Sequence, residues 1–348
     1  MLARTAEYLF WAGRYLERAE STARLLDVTY HRLLEVTPAE ERDAWRDVLS
    51  AVGLEDEYAE SGAPLSGGPV SEFLVLDPLN RGSIVAAVGQ ARDNARGVRE
   101  HLAMEFWEAL NTLHLSLGAR DLAHDLTTQP YEFYGFVRKG VQSVVGIAHE
   151  VWSREDAWRF FMLGLFLERA EMGVRSLRIR HPRHVPGATH EWSATLRAAS
   201  ALHAYRRRYR AFDPSAVVEL LLLSPTLPRS VLFSLRSAEE ILSDIGDQGS
   251  GTRPLGLRLL GRVRAELEFA DAAELCAGDL DEVLAVAEVQ IREVATAVAA
   301  ECFLYRVELD LHALQLLPGA PVLPGAEPAP LAATSPDGDP VGRGGVTS

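Results

Sequence analysis

Along most of the chain apolar residues return every three or four positions, as in Leu9, Ala12, Leu16, Ala19, Ala23 and Leu26, and strict apolar–polar alternation is hard to find. The first pattern lays one apolar stripe along a helix that faces a core, whereas the second would mark a half-buried strand. The spacing therefore predicts an all-α protein. Breaks fall at Thr37 to Pro38, across SGAPLSGGP, at Gln129 to Pro130, from His181 to Gly187, from Ser224 to Pro228 and from Gln248 to Pro254. Between them the reading is a bundle-like array of about eight to ten helices. From about Pro318 the sequence turns to Pro, Gly, Ala and Ser, which bury too little apolar surface to offset ordering entropy, so residues 317–348 read as a disordered tail.

The helical pattern contains an internal repeat. GRYLERAE from Gly13 to Glu20 returns as GLFLERAE from Gly164 to Glu171, with Arg24 matched by Arg175 and Leu26 by Leu177. FLVLDPLNRGSI from Phe73 to Ile84 aligns without gaps on LLLLSPTLPRSV from Leu220 to Val231. Two matches in the same order at nearly the same offset predict a duplicated helical unit: residues 1–150, then residues 151–316, related by an approximate two-fold.

Composition narrows the classes. A chain of 348 residues that is 47% hydrophobic is long enough for about two domains with a real core. Its longest apolar runs, such as Val217 to Leu223, fall short of the ~20 residues of a membrane span, and Arg4 and Glu7 begin an amphipathic helix rather than a signal peptide. Cys276 and Cys302 are too few for a disulfide framework or a thiolate zinc site. A cytoplasmic location is expected. Thirty-five Lys and Arg against 49 Asp and Glu give a net charge of −14, which disfavours nucleic acid as the main partner. Lys139 is the single lysine and no G-x4-G-K-[ST] run occurs, which speaks against Schiff-base and P-loop chemistry.

Candidate chemistry concentrates in the repeated helix. Gly13, Glu17, Glu20 and Arg24 are spaced by four, three and four, so they share one helical stripe, and Gly164, Glu168, Glu171 and Arg175 form the same stripe in the second half. Glycine inside a helix costs about 1 kcal/mol relative to alanine, so both glycines predict close approach of another backbone. The plainest reading of the acids is ion pairing, with Glu20–Arg24 and Glu171–Arg175 at i, i+4. A second is a carboxylate metal site in which two E-x-x-E helices converge, although the E-x-x-H that usually accompanies it is missing. A third is recognition of a cationic ligand or partner.

Two weaker candidates stand apart. In YRRRYR, continuous helix would place Arg206 and Arg210 on one face with Arg207 beside them, either an anion or acidic-partner site or a solvated face paired with surface acids. Ser83 and Ser230 follow proline-containing loops and are expected to cap helices. Neither serine sits in a G-x-S-x-G context. His181 and His184 fall in a proline-rich connector and read as linker, and tryptophans such as Trp11, Trp107 and Trp158 as core or interface anchors.

Several of these segments, in this order, resemble the bacterial alpha-E domain family: RTAEYLFWAGRYLERAESTARLLD, LDPLNRGSI with ARDNARGVRE, Trp107 with Asn111, W-x5-GLFLERAE, AYRRRY and PRSV. The resemblance spans about residues 1–315 and departs from the usual Asn-Pro-x-Ser-Ile at Asn80 to Ile84, where Arg81 and Gly82 intervene. It implies a helical protein whose relatives are encoded beside, or fused to, circularly permuted ATP-grasp proteins. It therefore implies a helical partner or accessory subunit of an ATP-grasp amide or peptide ligase, more co-catalytic or non-catalytic than an enzyme itself. The partner would be a separate ATP-grasp protein, and a peptide or amine the substrate. No cofactor, metal, nucleic acid or membrane is expected, and an oligomer is compatible with the pattern. The alternative is a metal-dependent enzyme built on Glu17, Glu20, Glu168 and Glu171. On either reading the ligand- or partner-binding candidates are those four glutamates with Arg24, Arg175, Arg206, Arg207 and Arg210.

Overall fold

Helix α1 (Ala3–Arg32) carries its apolar stripe inward: Leu9, Ala12, Leu16, Ala19, Ala23 and Leu26 are all buried. The computed structural model describes residues 1–33, 37–180, 189–246 and 253–303, so His181, His184 and the tail from 317 lie outside the described residues. After α1 come α2 (Pro38–Val52), α3 (Glu55–Glu60), α4 (Gly67–Val75), α5 (Ile84–Arg96), α6 (Met104–Gly118), α7 (Leu122–Thr128) and α8 (Pro130–Val151). Then follow α9 (Asp156–Arg180), α10 (Thr189–Ala198), α11 (Leu202–Arg208), α12 (Pro214–Val218), α13 (Val231–Gly246), α14 (Leu255–Glu268), α15 (Ala272–Ala277) and α16 (Leu280–Cys302). The all-α class is as the spacing predicts. Sixteen α-helices stand among the described residues where eight to ten were expected, because α3, α7, α11, α12 and α15 are under two turns or about that and leave no period to read.

The starts and stops follow local chemistry. Thr37 makes a capping box with Glu40, Pro38 opens α2, and Gly53 closes it at φ 71°. Ser83 accepts from the Ala86 amide and caps α5, and Ser230 accepts from the Phe233 amide at the start of α13. Asp121, Asp213, Asp271 and Asp279 cap α7, α12, α15 and α16 in the same way.

Packing divides the long helices into two groups. α1 packs on α5 and α8, and α6 closes that set; α9 packs on α13 and α16, and α14 closes the other. Helices α5 to α8 have 13, 15, 7 and 22 residues, and α13 to α16 have 16, 14, 6 and 23. The contact of α1 with α9 joins the groups. It explains why α9 has no polar face in its middle: Phe160 to Leu163 and Leu165 to Leu167 are buried on every side.

Candidate functional site

At the α1–α9 crossing both backbones are in contact. A Cβ on Gly13 would stand 2.0 Å from the Phe161 carbonyl oxygen, and one on Gly164 would stand 2.0 Å from the Phe10 carbonyl oxygen. Contacts advance together along the two helices, from Phe10 against Gly164, through Arg14 and Arg18 on Glu168, to Glu17 under Arg169, so α1 and α9 run side by side in the same direction. The close approach expected of the two glycines is present, and each is the other's counterpart.

One turn further on, the two acidic stripes meet across this seam. Arg14 donates from Nε to Glu168 (2.6 Å) and from Nη2 to Glu171 (2.6 Å), and Arg18 reaches the other Glu168 oxygen at 2.7 Å. In the opposite direction Arg169 donates to Glu17 at 2.7 Å. Arg229, from the loop before α13, bridges Glu17 (3.0 Å) and Glu20 (2.8 Å). Arg24 holds Glu20 at 2.6 Å and Arg175 holds Glu171 at 2.5 Å, the i, i+4 pairs expected from spacing. Gln142 donates to Glu20 (2.9 Å), Ser21 to Glu17 (3.0 Å), and Arg175 also reaches Glu288 at 3.0 Å. Glu17 is fully buried, and Glu20, Glu168, Glu171, Arg14 and Arg24 are nearly so.

Burial by itself would raise a carboxyl group's pKa, yet here the arginines win. Arg229 and Arg24 hold Glu20 at about 2, and Arg14 and Arg18 hold Glu168 at about 2, against an ordinary 4.5. Both acids are thus ionised and weakly basic at neutral pH. Neither is suited to donate or accept a proton in a reaction. Because the folded values are depressed, the stabilisation is complete above pH 4.5 and is lost as pH falls from there through about 2. About 3 kcal/mol is at stake for each group. Melting temperature is therefore expected to drop steeply below pH ~4.5. Calorimetry across pH 7 to 3 checks this: a Glu168→Gln variant should show a flatter acid limb, and an unchanged limb would refute the assignment.

The sequence-derived candidates separate into two sets. Glu17, Glu20, Arg24, Glu168, Glu171 and Arg175 come together in this one network. Arg206, Arg207 and Arg210 do not join it, and all three are exposed. The shared helical face expected for Arg206 and Arg210 is corrected: α11 ends at Arg208, and Tyr209 is extended (φ −125°, ψ 138°). The chain leaves the helix there so that Phe212 can stack on Tyr205 at 5.4 Å, while the Asp213 amide donates to the Tyr205 hydroxyl and Asp213 caps α12. Arg208, not singled out in the sequence, is the member of the segment that pairs, with Glu219 at 2.6 Å. Spacing also missed Arg14, Arg18, Arg169, Arg229 and Glu288. A readable signal existed for Arg18 and Arg169, which follow the glutamate in both copies of LERAE.

The metal-dependent alternative finds no donor set: among the described residues no group of three or more His, Cys, Asp or Glu is placed to hold an ion, because guanidinium groups stand between the carboxylates. The thiols are equally quiet, with burial raising Cys276 and pushing Cys302 up to about 11. No helix among the described residues is long and apolar enough to cross a membrane. Two cavities adjoin the network between α1, α9 and α10, of about 50 and 20 Å³.

A family model described as a predicted alpha-helical domain with a conserved ER motif matches residues 1–303. An uncharacterized protein of Mycobacterium bovis is 29% identical over 325 residues, covering 84% of this chain and 36% of the relative, and an uncharacterized protein of Mycobacterium tuberculosis matches to the same extent. The chain thus spans about a third of the length of the curated relatives it matches. No solved structure matches it.

Proposed function

The chain belongs to the Alpha-E family, and we propose that it is a helical partner or accessory subunit of an ATP-grasp amide or peptide ligase, with the Glu–Arg network as its internal clamp rather than its reaction centre. The observation that carries the non-catalytic part is the pairing of all four stripe glutamates with arginine, which leaves no free base or nucleophile in the most buried polar cluster. The two Glu-Arg dipeptides at 17–18 and 168–169 each reach across the helix seam, so in this reading a family motif named for those residues holds the fold together. The curated relatives extend well beyond the matched region, which supports a domain that works alongside another polypeptide segment.

In the same reading the two helix groups are the halves of a duplication, residues 1–150 and 151–316, whose first helices became each other's partners. The reciprocal glycine contacts and the matched order of α5–α8 and α13–α16 support it. Residues 304–316 lie outside the described residues.

Co-expression with the ATP-grasp protein of the same genome, followed by size-exclusion chromatography and an ATP-turnover assay, tests the partnership. Co-elution with a change in turnover is expected. Separate elution with unaltered turnover would overturn it.

A further inference from the structure

Helix α11 ends in guanidinium groups that the fold does not use. Arg206, Arg207 and Arg210 are exposed and make no ion pair or hydrogen bond among the described residues, while Arg208 takes Glu219 at 2.6 Å. The backbone that carries them is fixed from below: Tyr205 is buried, packs its ring on those of Tyr209 and Phe212, and donates to the Ala211 carbonyl at 3.0 Å. Helix α3 repeats this arrangement with the opposite charge. Its buried Tyr58 donates to the Pro64 carbonyl at 2.8 Å. Asp56, Glu57 and Glu60 are spaced to share one side of the helix, are exposed, and likewise make no ion pair or hydrogen bond among the described residues. Tyr58 and Pro64 precede Tyr205 and Ala211 by the offset that separates Phe73 from Leu220, so under the duplication proposed above α3 and α11 are counterparts, and Glu60 stands where the second half has Arg207. Compensation of helix dipoles accounts for Asp56 and Glu57 in the first turn of α3 and for Arg206 and Arg207 in the last turn of α11. It does not account for Glu60, the last residue of α3, or for Arg210 beyond the end of α11.

We propose that the arginine face of α11 docks on the acidic face of α3 in a second copy of this chain. Charge complementarity selects the occupant, since Arg206, Arg207 and Arg210 meet the carboxylates of Asp56, Glu57 and Glu60 and no ion pair joins the two faces within one chain. Guanidinium groups also match carboxylates in shape, with paired donors for two oxygens. The net charge of −14 makes two copies repel on average, so an unpaired cationic face is where a close approach is favoured. In a two-fold pair the contact forms twice, α11 of each copy on α3 of the other, and the second contact reinforces the first. Exposed ion pairs are individually weak and screened by salt, so the association is weak and depends on ionic strength. The inference concerns copies of this chain alone, and its failure would leave the ligase partnership untouched.

Sedimentation velocity of the full chain over a concentration series, in about 0.02 M and about 0.5 M NaCl, tests it. A concentration-dependent dimer is expected in low salt, weakened at least about tenfold in high salt. Arg206→Glu with Arg207→Glu and Arg210→Glu should give a monomer, as should Asp56→Lys with Glu57→Lys and Glu60→Lys. Mixing the two reversed proteins should restore the dimer, because both contacts are complementary again while each protein stays net negative. A monomeric native chain in low salt, association that survives high salt or the arginine reversal, or a mixture that fails to pair would each overturn the assignment. A monomer that binds a labelled polyglutamate peptide through Arg206 and Arg207 would give the face to a foreign acidic partner and overturn it too. Should a reversed protein not fold, the neutral pair Arg206→Gln with Arg207→Gln must still weaken association, and undiminished dimer there would refute the contact.

Discussion

Alanine at Gly164 is expected to remove about 3 kcal/mol or more of unfolding free energy, a large share of the ~5–15 kcal/mol that a native domain has. On helix propensity alone the change should help by nearly 1 kcal/mol. The deciding quantity is the 2.0 Å between the new Cβ and the Phe10 carbonyl oxygen, far inside van der Waals contact. A clashing side chain could rotate away, but a carbonyl inside α1 is fixed by its own helix, so the two helices must separate along the whole seam. Separation would also stretch the ion pairs one turn away. Gly13→Ala meets the Phe161 carbonyl oxygen at the same 2.0 Å and is expected to cost as much. The internal control is α8: a Cβ at Gly135 or Gly146 meets nothing within 4 Å, so Gly135→Ala should be neutral or stabilising by up to about 1 kcal/mol. Chemical denaturation of the variants gives the comparison. Equal stability of Gly164→Ala and Gly135→Ala would show that the helices are not in backbone contact.

This contact was readable from the sequence because a glycine recurs at the same place in both copies of one helix, and two glycines at equivalent interior positions share one explanation. The acids were readable for the same reason. Their arginine partners were only half so. Arg24 and Arg175 lie one turn from their glutamates on the same helix, which spacing captures. Arg18 and Arg169 point across to the other helix, and nothing in a single helical wheel assigns a cross-helix partner. Arg14 and Arg229 are the hardest cases, because the repeat offers Leu165 opposite Arg14 and Gly82 opposite Arg229. Each glutamate pair nonetheless has one bridging arginine, supplied by α1 in one case and by the loop before α13 in the other. The misplacement of Arg210 has a different origin: helical spacing was extended through YRRRYR, while tertiary packing of Tyr209 and Phe212 on Tyr205 ended the helix two residues earlier.

Whether the network is a clamp or a site is decided by what its removal does. Glu168→Gln leaves Arg14 and Arg18 facing a neutral amide, and Arg14 is buried with its remaining partner Glu171 already shared with Arg175. Breaking a buried pair from one side typically costs about 3 to 5 kcal/mol, and that is the loss expected here. Arg18→Ala should cost no more than about 1 kcal/mol, since that side chain is 27% exposed and Glu168 keeps Arg14. Removing both members, as Glu168→Met with Arg14→Met, eliminates the buried stranded charge and leaves only the partly exposed Arg18 without its partner, so the double variant should be more stable than the sum of its parts by at least about 1 kcal/mol. A clamp predicts this coupling together with a lower melting temperature. A catalytic pair would instead leave stability intact or improved on neutralisation, because reactive groups are held at the expense of the fold. Denaturant midpoints of Glu168→Met, Arg14→Met and the double close the cycle, and additive losses would dissolve the clamp into independent surface-like pairs.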